Sequence, residues 1–300
     1  MVAEKVVLVT GSSSGFGRLT SLELARRGHR VFATMRDTDG RNRAARSEMC
    51  ELARAEGVAV SVLDLDVTDT ASVDGAVGQA VASAGRIDVA VNNAGFGYFG
   101  YNESFTVEQV QLLYDTLVFG ALRVDRAVLP HMRAQRSGLL VHVSSVIGRV
   151  LWPFTGIYAS AKHAVEALAQ SFRYDLAPAG VDSLIVQPGA YPTKMNLPEN
   201  VVHGADTRRL DSYGELAGVP AAMQEAMASA LAGSVAPDPG VVARAIADLI
   251  ELPAGKRPLR TVVGEDAAPA IPINEAADAV HQGVYEEFGL AHMLSVIEEQ

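Results

Sequence analysis

The sequence predicts a doubly wound α/β fold, in which helices cover both faces of a parallel β-sheet of about seven strands. Short runs rich in valine lack polar alternation, which is typical of strands that are buried on both faces. Helix-length segments separate most of these runs. Such alternation indicates parallel strands joined by crossover helices.

The predicted strands begin with VVLV near the N-terminus. In chain order they span Val6–Thr10, Arg30–Met35, Val58–Leu65, Val89–Asn92, Leu139–Ser144, Ser183–Gln187 and Arg260–Val263. The predicted helices span Gly17–Arg27, Arg41–Glu56, Ala71–Ala84, Val107–Arg136, Ile157–Leu176 and Gly240–Leu252. Gly28, Gly57 and Gly138 fall where C-terminal helix caps are expected.

The alternation predicts a single domain over residues 1–300, because no Pro/Gly-rich linker or internal repeat divides the chain. Residues 190–238 fall outside the alternation. Loops of that length in a compact domain are usually functional, so we expect a substrate-binding lid there. The tail, residues 273–300, is expected to pack on the body of the protein or on a partner subunit.

The composition excludes several classes of protein. A single cysteine, Cys50, leaves no disulfide framework and favours a reducing compartment. No signal peptide precedes the first apolar run and no run approaches the roughly 18 apolar residues of a membrane span, so we expect a cytoplasmic protein. A net charge of −10 argues against a nucleic-acid partner. The spacing of His, Asp and Glu predicts no metal site.

A glycine loop, TGSSSGFG, joins the first predicted strand to the first predicted helix. Gly11, Gly15 and Gly17 allow a sharp turn and a close approach of the backbone to a ligand. The helix that follows offers free N–H groups and its positive dipole end to a pyrophosphate. The loop therefore predicts a dinucleotide site, with the spacing GxxxGxG in place of GxGxxG.

The end of the second strand favours NADP(H) over NAD(H). An acidic residue there would bind the adenosine ribose hydroxyls, but Met35 stands at that position and Arg36 offers a fork suited to a phosphate. Asp37 is the counter-argument, since its carboxylate could neutralise Arg36. Asp66, at the end of the third strand, is predicted to bond the adenine amine; a turn acid is the alternative.

The catalytic prediction rests on YASAK, in which Tyr158 and Lys162 stand one helical turn apart. An opposite charge within about 4–6 Å shifts a pKa by roughly 1–3 units, so Lys162 and a bound nicotinamide cation should lower the Tyr158 pKa from about 10. Tyr158 is then a general acid or base. Ser145 closes a buried strand at the ligand-binding edge of the sheet and can donate a hydrogen bond to a substrate oxygen.

These motifs resemble the short-chain dehydrogenase/reductase family, which has a Rossmann-type fold. The matches, in the order and at the spacing of the family, are TGSSSGFG, NNAG at 92–95, Ser145, YASAK and PGAYPT at 188–193. They cover about Val6 to Thr193. RVFATMRD and NNAGFGYFG look most like the branch that contains retinol and 17β-hydroxysteroid dehydrogenases.

The resemblance implies roles for residues at matching positions. Tyr158 would exchange the proton, Ser145 would hold the substrate oxygen, and Lys162 would bind the nicotinamide ribose while lowering the Tyr158 pKa. The predicted cofactor contacts are Gly11, Ser13, Ser14, Gly15, Phe16, Gly17, Arg36, Asp66, Val67, Asn93, Ala94, Gly95, Tyr158, Lys162, Pro188, Gly189 and Thr193. The family also implies a homodimer or homotetramer.

One position departs from the family pattern. Family members usually carry an asparagine in the long fourth helix, where it supports a water that links the lysine to solvent. Leu117 stands there, in DTLVFG, and its side chain forms no hydrogen bonds. The link between the lysine and solvent then uses the Leu117 backbone carbonyl and water, or it is impaired. Alternatively, Leu117 merely packs in the core.

The sequence thus predicts an NADP(H)-preferring carbonyl reductase or alcohol dehydrogenase, with a substrate that is a small, lipophilic carbonyl or alcohol. Leu117 supports the alternative of a non-catalytic NADP(H)-binding sensor. Epimerisation or dehydration is a third possibility. Trp152 and Phe154 are expected in the substrate pocket or the core, and His142 is expected to be a hydrogen-bonded core residue.

Overall fold

The computed structural model describes residues 3–197, 200–231 and 236–296, and it confirms the predicted fold. Seven parallel strands form one sheet in the order β3-β2-β1-β4-β5-β6-β7. The strands are β1 (Val6–Val9), β2 (Arg30–Met35), β3 (Val60–Asp64), β4 (Val89–Asn92), β5 (Gly138–Val143), β6 (Val181–Pro188) and β7 (Arg260–Val263).

Helices cover both faces of the sheet. They are α1 (Gly15–Arg26), α2 (Arg43–Glu56), α3 (Thr70–Ala84), α4 (Val107–Tyr114), α5 (Gly120–Gln135), α6 (Gly156–Leu176), α7 (Thr207–Asp211), α8 (Val219–Leu231), α9 (Gly240–Glu251) and α10 (Ala270–Glu287). Helices α1, α2 and α9 pack on one face, and α3, α5 and α6 pack on the other. Alternate residues of each strand therefore enter two separate cores.

The predicted long helix over 107–136 is interrupted. A π-helical segment, Asp115–Phe119, separates α4 from α5, and such segments are frequent at functional sites. The prediction that Gly138 caps the helix is wrong, because Arg136 is the left-handed cap and Gly138 begins β5. A Cβ on Gly138 would lie 2.6 Å from the Met132 side chain, so close packing explains this glycine.

The C-terminal helix α10 begins at Ala270, three residues before the predicted tail, and packs on the body of the same chain. Asp278 forms an ion pair with Arg260 at 2.7 Å, and Asn274 donates a hydrogen bond to Gln187 at 2.6 Å. The tail therefore contacts its own subunit. Residues 297–300 lie outside the described part of the chain.

The first part of the predicted lid pairs with the loop between β4 and α4. The Val202 amide donates to the Gly97 carbonyl at 3.0 Å, and the Phe99 amide donates to the Val202 carbonyl at 3.1 Å. Helices α7 and α8 continue this segment, and residues 198, 199 and 232–235 within it are not described. In the stretches that are described, no helix has the length and apolar character to cross a bilayer.

Candidate active site

The predicted site residues lie at the edge where the parallel strands end. The glycine loop follows β1 and Asn93 follows β4. Ser145 follows β5, and Gly189 follows β6. The strand order reverses between β1 and β4, and doubly wound sheets bind ligands in the crevice at such a point.

The glycine loop needs its glycines for two different reasons. Gly11 and Gly15 have φ of 69° and 55°, in the left-handed region that side chains disfavour. A Cβ on Gly17 would instead overlap the Asn93 side chain and the Gly11 carbonyl oxygen. Helix α1 begins at Gly15, and Ser14 caps it without a side-chain hydrogen bond, so its first amides point to the loop side. This arrangement fits a pyrophosphate.

Thr10, which the sequence reasoning missed, ties this loop to the loop after β4. Its hydroxyl oxygen accepts hydrogen bonds from the amides of Asn93 and Ala94, both at 3.0 Å. The Asn93 side-chain amide donates to the Thr10 carbonyl at 2.9 Å. Asn93 therefore shapes the crevice by holding the glycine loop. The position of Thr10, directly before Gly11, was the available signal.

The Arg36 side chain, directly after β2, is accessible to a ligand. Met35 is buried, whereas Arg36 is exposed at the end of the strand. The Asp37 carboxylate accepts a hydrogen bond from the Arg41 amide at 2.8 Å and does not pair with Arg36. Among the residues the structure describes, the Arg36 guanidinium has no ion-pair partner.

Asp66 has the geometry of the turn acid that was the alternative prediction. One carboxylate oxygen accepts from the Thr68 amide at 2.9 Å and from the Thr68 hydroxyl at 2.7 Å. Burial opposes ionisation, but these hydrogen bonds, together with the positive charge of Arg36, lower the Asp66 pKa. Arg36 and Asp66 thus lie near each other on the nucleotide side of the crevice.

Ser145 lies half-buried at the end of β5, where it begins a short 3₁₀ turn. Its hydroxyl accepts from the Ile147 amide at 3.3 Å and donates to the Pro188 carbonyl at 3.5 Å. Both hydrogen bonds are long, so the hydroxyl can turn toward a substrate oxygen at little cost.

Tyr158 and Lys162 lie on one face of α6, as predicted, and both side chains are buried. The Lys162 ammonium nitrogen is 5.6 Å from the centroid of the Tyr158 ring and donates a hydrogen bond to the Val143 carbonyl at 2.8 Å. The ammonium therefore lies over the ring and bonds to β5.

The pKa values of the pair follow burial. Burial raises the pKa of Tyr158 above its usual value, so the predicted lowering by Lys162 is wrong for the protein in this structure. Burial also lowers the pKa of Lys162 to about 8, against the opposing charge of Glu166. The field of an ammonium over the ring does not offset the desolvation of the phenol. Tyr158 is therefore protonated at neutral pH, the form that donates a proton.

The loop after β6 closes the other side of the crevice. Thr193 is buried opposite the glycine loop, and a Cβ on Gly15 would lie 3.6 Å from the Thr193 Cβ. The rings of Phe16 and Tyr191 meet edge to face at 5.6 Å. PGAYPT thus faces TGSSSGFG across the crevice.

Leu117 is buried in the π-helical segment and lines a small cavity with Lys162, Asn92 and Thr116. The cavity has room for about one water molecule. His142 lies in β5, and the prediction that it is hydrogen-bonded is wrong: within the described part of the chain, neither of its ring nitrogens has a hydrogen-bond partner.

An aromatic group joins the segment between Ser145 and Tyr158 to the predicted lid. Phe154 meets the ring of Phe99 at 5.9 Å and that of Tyr101 at 5.2 Å, both edge to face. Tyr101 also stacks on Tyr213 of the lid at 3.8 Å. Trp152 packs with Ala267 and other apolar residues under the C-terminal helix. The lid residue Tyr213 gave no motif by which the sequence could place it here.

Comparisons with known proteins agree with this geometry. Residues 5–201 match the family model described as short chain dehydrogenase. The chain belongs to this family. It is an NAD(P)-dependent oxidoreductase that acts on hydroxyl or carbonyl groups, as its named relatives do.

Several curated relatives align with about two thirds of the chain. A 3-ketodihydrosphingosine reductase of Bacteroides thetaiotaomicron is 34% identical over 66% of this chain and 68% of its own length. The 17-beta-hydroxysteroid dehydrogenase type 1 of Mus musculus is 37% identical over 63% of this chain and 54% of its own length. Human retinol dehydrogenase 8 is 35% identical over 64% of this chain and 60% of its own length. The predicted resemblance to that branch is confirmed.

Solved structures extend the similarity over nearly the whole chain. A short-chain dehydrogenase from Streptomyces avermitilis is 30% identical, covers 96% of this chain and 98% of its own, and has a TM-score of 0.75. An alcohol dehydrogenase from Thermococcus sibiricus, solved with 5-hydroxy-NADP, is 25% identical over 87% of this chain and 96% of its own, with a TM-score of 0.66.

Proposed function

We propose that this protein is an NADP(H)-preferring carbonyl reductase that also runs as an alcohol dehydrogenase. The observation that carries the proposal is the placement of Ser145, Tyr158 and Lys162 beside a pyrophosphate-type glycine loop on one edge of the sheet. A nicotinamide cofactor, when bound, supplies hydride chemistry. The residues of the chain supply positioning and one proton.

The three side chains have different tasks. The Ser145 hydroxyl donates a hydrogen bond to the substrate carbonyl oxygen and holds it in place. The Tyr158 hydroxyl donates its proton to that oxygen as negative charge develops on it. The Lys162 ammonium stabilises the phenolate that remains, and it binds the ribose by analogy with the family.

The protonated state of Tyr158 favours reduction at neutral pH. A phenol whose pKa is raised by burial is ready to donate a proton, whereas alcohol oxidation needs the phenolate as base. The oxidation rate should therefore rise with pH over a range in which the reduction rate does not.

The preference for NADP(H) rests on Arg36. Its guanidinium is exposed at the end of β2, near Asp66, and Asp37 is engaged with the Arg41 backbone instead. A planar cation in this position suits the 2′-phosphate of NADP(H).

The substrate that we propose is lipophilic. The rings of Phe99, Tyr101, Phe154 and Tyr213 contact one another between the predicted lid and the segment that joins Ser145 to Tyr158. Phe154 is held at φ of 63°, an uncommon conformation for a bulky residue that is found more often at functional sites. Relatives named for sphingosine, steroid and retinol substrates point the same way. We also propose that residues 190–238 form the substrate lid of a single-domain, cytoplasmic homodimer or homotetramer.

The decisive experiment is Tyr158→Phe. Reduction of lipophilic ketones and aldehydes with NADPH should fall at least about a hundredfold, since general acid catalysis contributes roughly 10²–10⁴-fold. Binding of NADPH, followed by its fluorescence, should stay within a factor of about two. Tyr114→Phe, which removes an exposed hydroxyl from the neighbouring helix α4, is the matched control and should keep full activity. Full activity of Tyr158→Phe would refute the mechanism.

The alternative of a non-catalytic sensor is favoured by one observation, the apolar side chain of Leu117 beside Lys162. It predicts NADPH binding without oxidation of the cofactor across a broad panel of carbonyl compounds.

A further inference from the structure

A cluster of buried polar residues lies behind Lys162 and has no part in the mechanism above. Asn92 at the end of β4 and His142 in β5 are paired in the sheet, so both side chains face the same helix layer. Asp125 of α5 completes the cluster: the Asn92 side-chain amide donates to one Asp125 oxygen at 2.6 Å. The second Asp125 oxygen lies 3.8 Å from the Nε2 of His142.

The cluster is costly to bury. Asp125 and His142 are each 1% exposed. In the described ranges, the Asn92 carbonyl oxygen and both His142 ring nitrogens lack hydrogen-bond partners. A buried, incompletely paired polar group costs roughly 1–3 kcal/mol, and apolar residues of similar size would avoid that cost. Such a cluster next to a catalytic residue is a candidate for a functional role.

The small cavity beside Leu117 connects this cluster to Lys162. Asn92 and Lys162 line it together. The Lys162 ammonium uses one donor on the Val143 carbonyl, which leaves two further N–H donors. The Asn92 oxygen is an acceptor without a partner among the described residues, and the cavity has room for about one bridging water.

We propose that Asn92, Asp125 and His142 keep the Lys162 ammonium in place and protonated. They act through Asn92 and the cavity, and so replace the polar side chain that is missing at Leu117. Asp125 and His142 are positioning residues, because they act through Asn92. The proposal deepens the proposed function and rests on it.

The charges near Lys162 and Asp125 determine how the pH dependence of turnover should change. Glu166, on the same helix, favours the charged form of Lys162, and the Lys162 charge acts on His142 of β5. Asp125 faces His142 and Asn92. Burial raises the pKa of Asp125 to about 8, and burial and then Lys162 lower that of His142 to about 3. At neutral pH both are therefore uncharged. As pH rises past about 8, Asp125 becomes an anion. Under the proposal, this negative charge favours the protonated form of Lys162.

The first test is a mutant cycle on turnover. Asp125→Asn should lower kcat for carbonyl reduction about tenfold, move the alkaline limb of the kcat profile to lower pH, and leave the Kd for NADPH unchanged. Leu117→Asn should restore most of kcat in the Asp125→Asn background and change the wild type less than about threefold. Asp115→Asn, which removes a carboxylate paired with Arg123 close to α5, is the matched control and should leave the pH profile unchanged.

An additive cycle, or an unchanged pH profile in Asp125→Asn, would overturn the proposal. If Asp125→Asn fails to fold, His142→Asn takes its place in the same cycle, with the same expected loss and rescue.

The second test uses the cofactor-free protein and does not depend on turnover. Infrared difference spectra of the wild type across the neutral pH range should show a protonated carboxylic acid that ionises near pH 8 and is missing in Asp125→Asn. Lys162→Met should move this ionisation to higher pH, because the cation that favours the carboxylate is gone. An unmoved ionisation would refute the coupling. If the wild type shows no turnover with any substrate but this coupling between Lys162 and Asp125 is present, the proposed function is refuted and the further inference is not.

Discussion

The two halves of the carboxyl edge are built by different means. The nucleotide half, formed by the loops after β1, β2 and β4, is shaped by backbone and small residues: glycine conformations and the hydrogen bonds of Thr10 and Asn93. The catalytic half, formed after β5 and β6 and along α6, is shaped by buried charges such as Lys162 and Glu166. The nucleotide half should therefore be most sensitive to substitutions that add volume. The catalytic half should be most sensitive to substitutions that remove a charge.

Among substitutions that remove a charge or add volume, the largest effect is expected in the catalytic half, from Glu166→Gln. Glu166 accepts hydrogen bonds from Ser144 and Gln187, both at 2.8 Å, and pairs with Arg149 and Arg260. Loss of its charge leaves the Arg260 guanidinium buried without that carboxylate, at a cost to the free energy of unfolding of about 3 kcal/mol, measured by denaturant titration.

The same variant should change the pH profile of turnover. Glu166 raises the pKa of Lys162, so its removal lets Lys162 lose its proton at lower pH, and the alkaline limb should move below about 8. Asp175→Asn, an exposed change on the same helix, should alter neither quantity. If Glu166→Gln behaved like that control, the catalytic half would not depend on buried charge.

A smaller effect is expected in the nucleotide half, from Gly17→Ala. The new Cβ would overlap Asn93 and the Gly11 carbonyl, so the glycine loop must move away from the geometry that fits a pyrophosphate. If binding of NADPH has to restore that overpacked geometry, at about 1–3 kcal/mol, the affinity should fall about thirtyfold. Gly75→Ala in α3, whose new Cβ has no heavy atom within 4 Å, is the matched control. The pH profile of the remaining activity should stay unchanged, which separates the two halves.

The smallest effect is expected from Arg36→Ala. Removal of an exposed cation should weaken NADPH binding about tenfold and leave NADH binding within a factor of about two. Arg54→Ala, at the far end of α2, controls for the change in net charge. Equal losses for the two cofactors would contradict the proposed NADP(H) preference.

The glycine loop of the proposed nucleotide half could be predicted from the sequence. A left-handed turn or a close backbone approach allows little besides glycine, so Gly11, Gly15 and Gly17 identify it directly. The strands and α6 were predictable as well, because a buried parallel strand and a helix face leave periodic apolar patterns. The prediction that Gly138 caps a helix was wrong, because the sequence does not distinguish a glycine required for packing against Met132 from a helix cap.

The catalytic half shows what only the tertiary structure decided. The motif YASAK placed Tyr158 and Lys162 on one helix face, and this needed nothing beyond the helical repeat. The direction of the Tyr158 pKa, the bond from Lys162 to Val143, and the meeting of Asn92, Asp125 and His142 depend on burial and on contacts between residues far apart in the chain. Desolvation is a property of the folded environment, and no local pattern in the sequence records it.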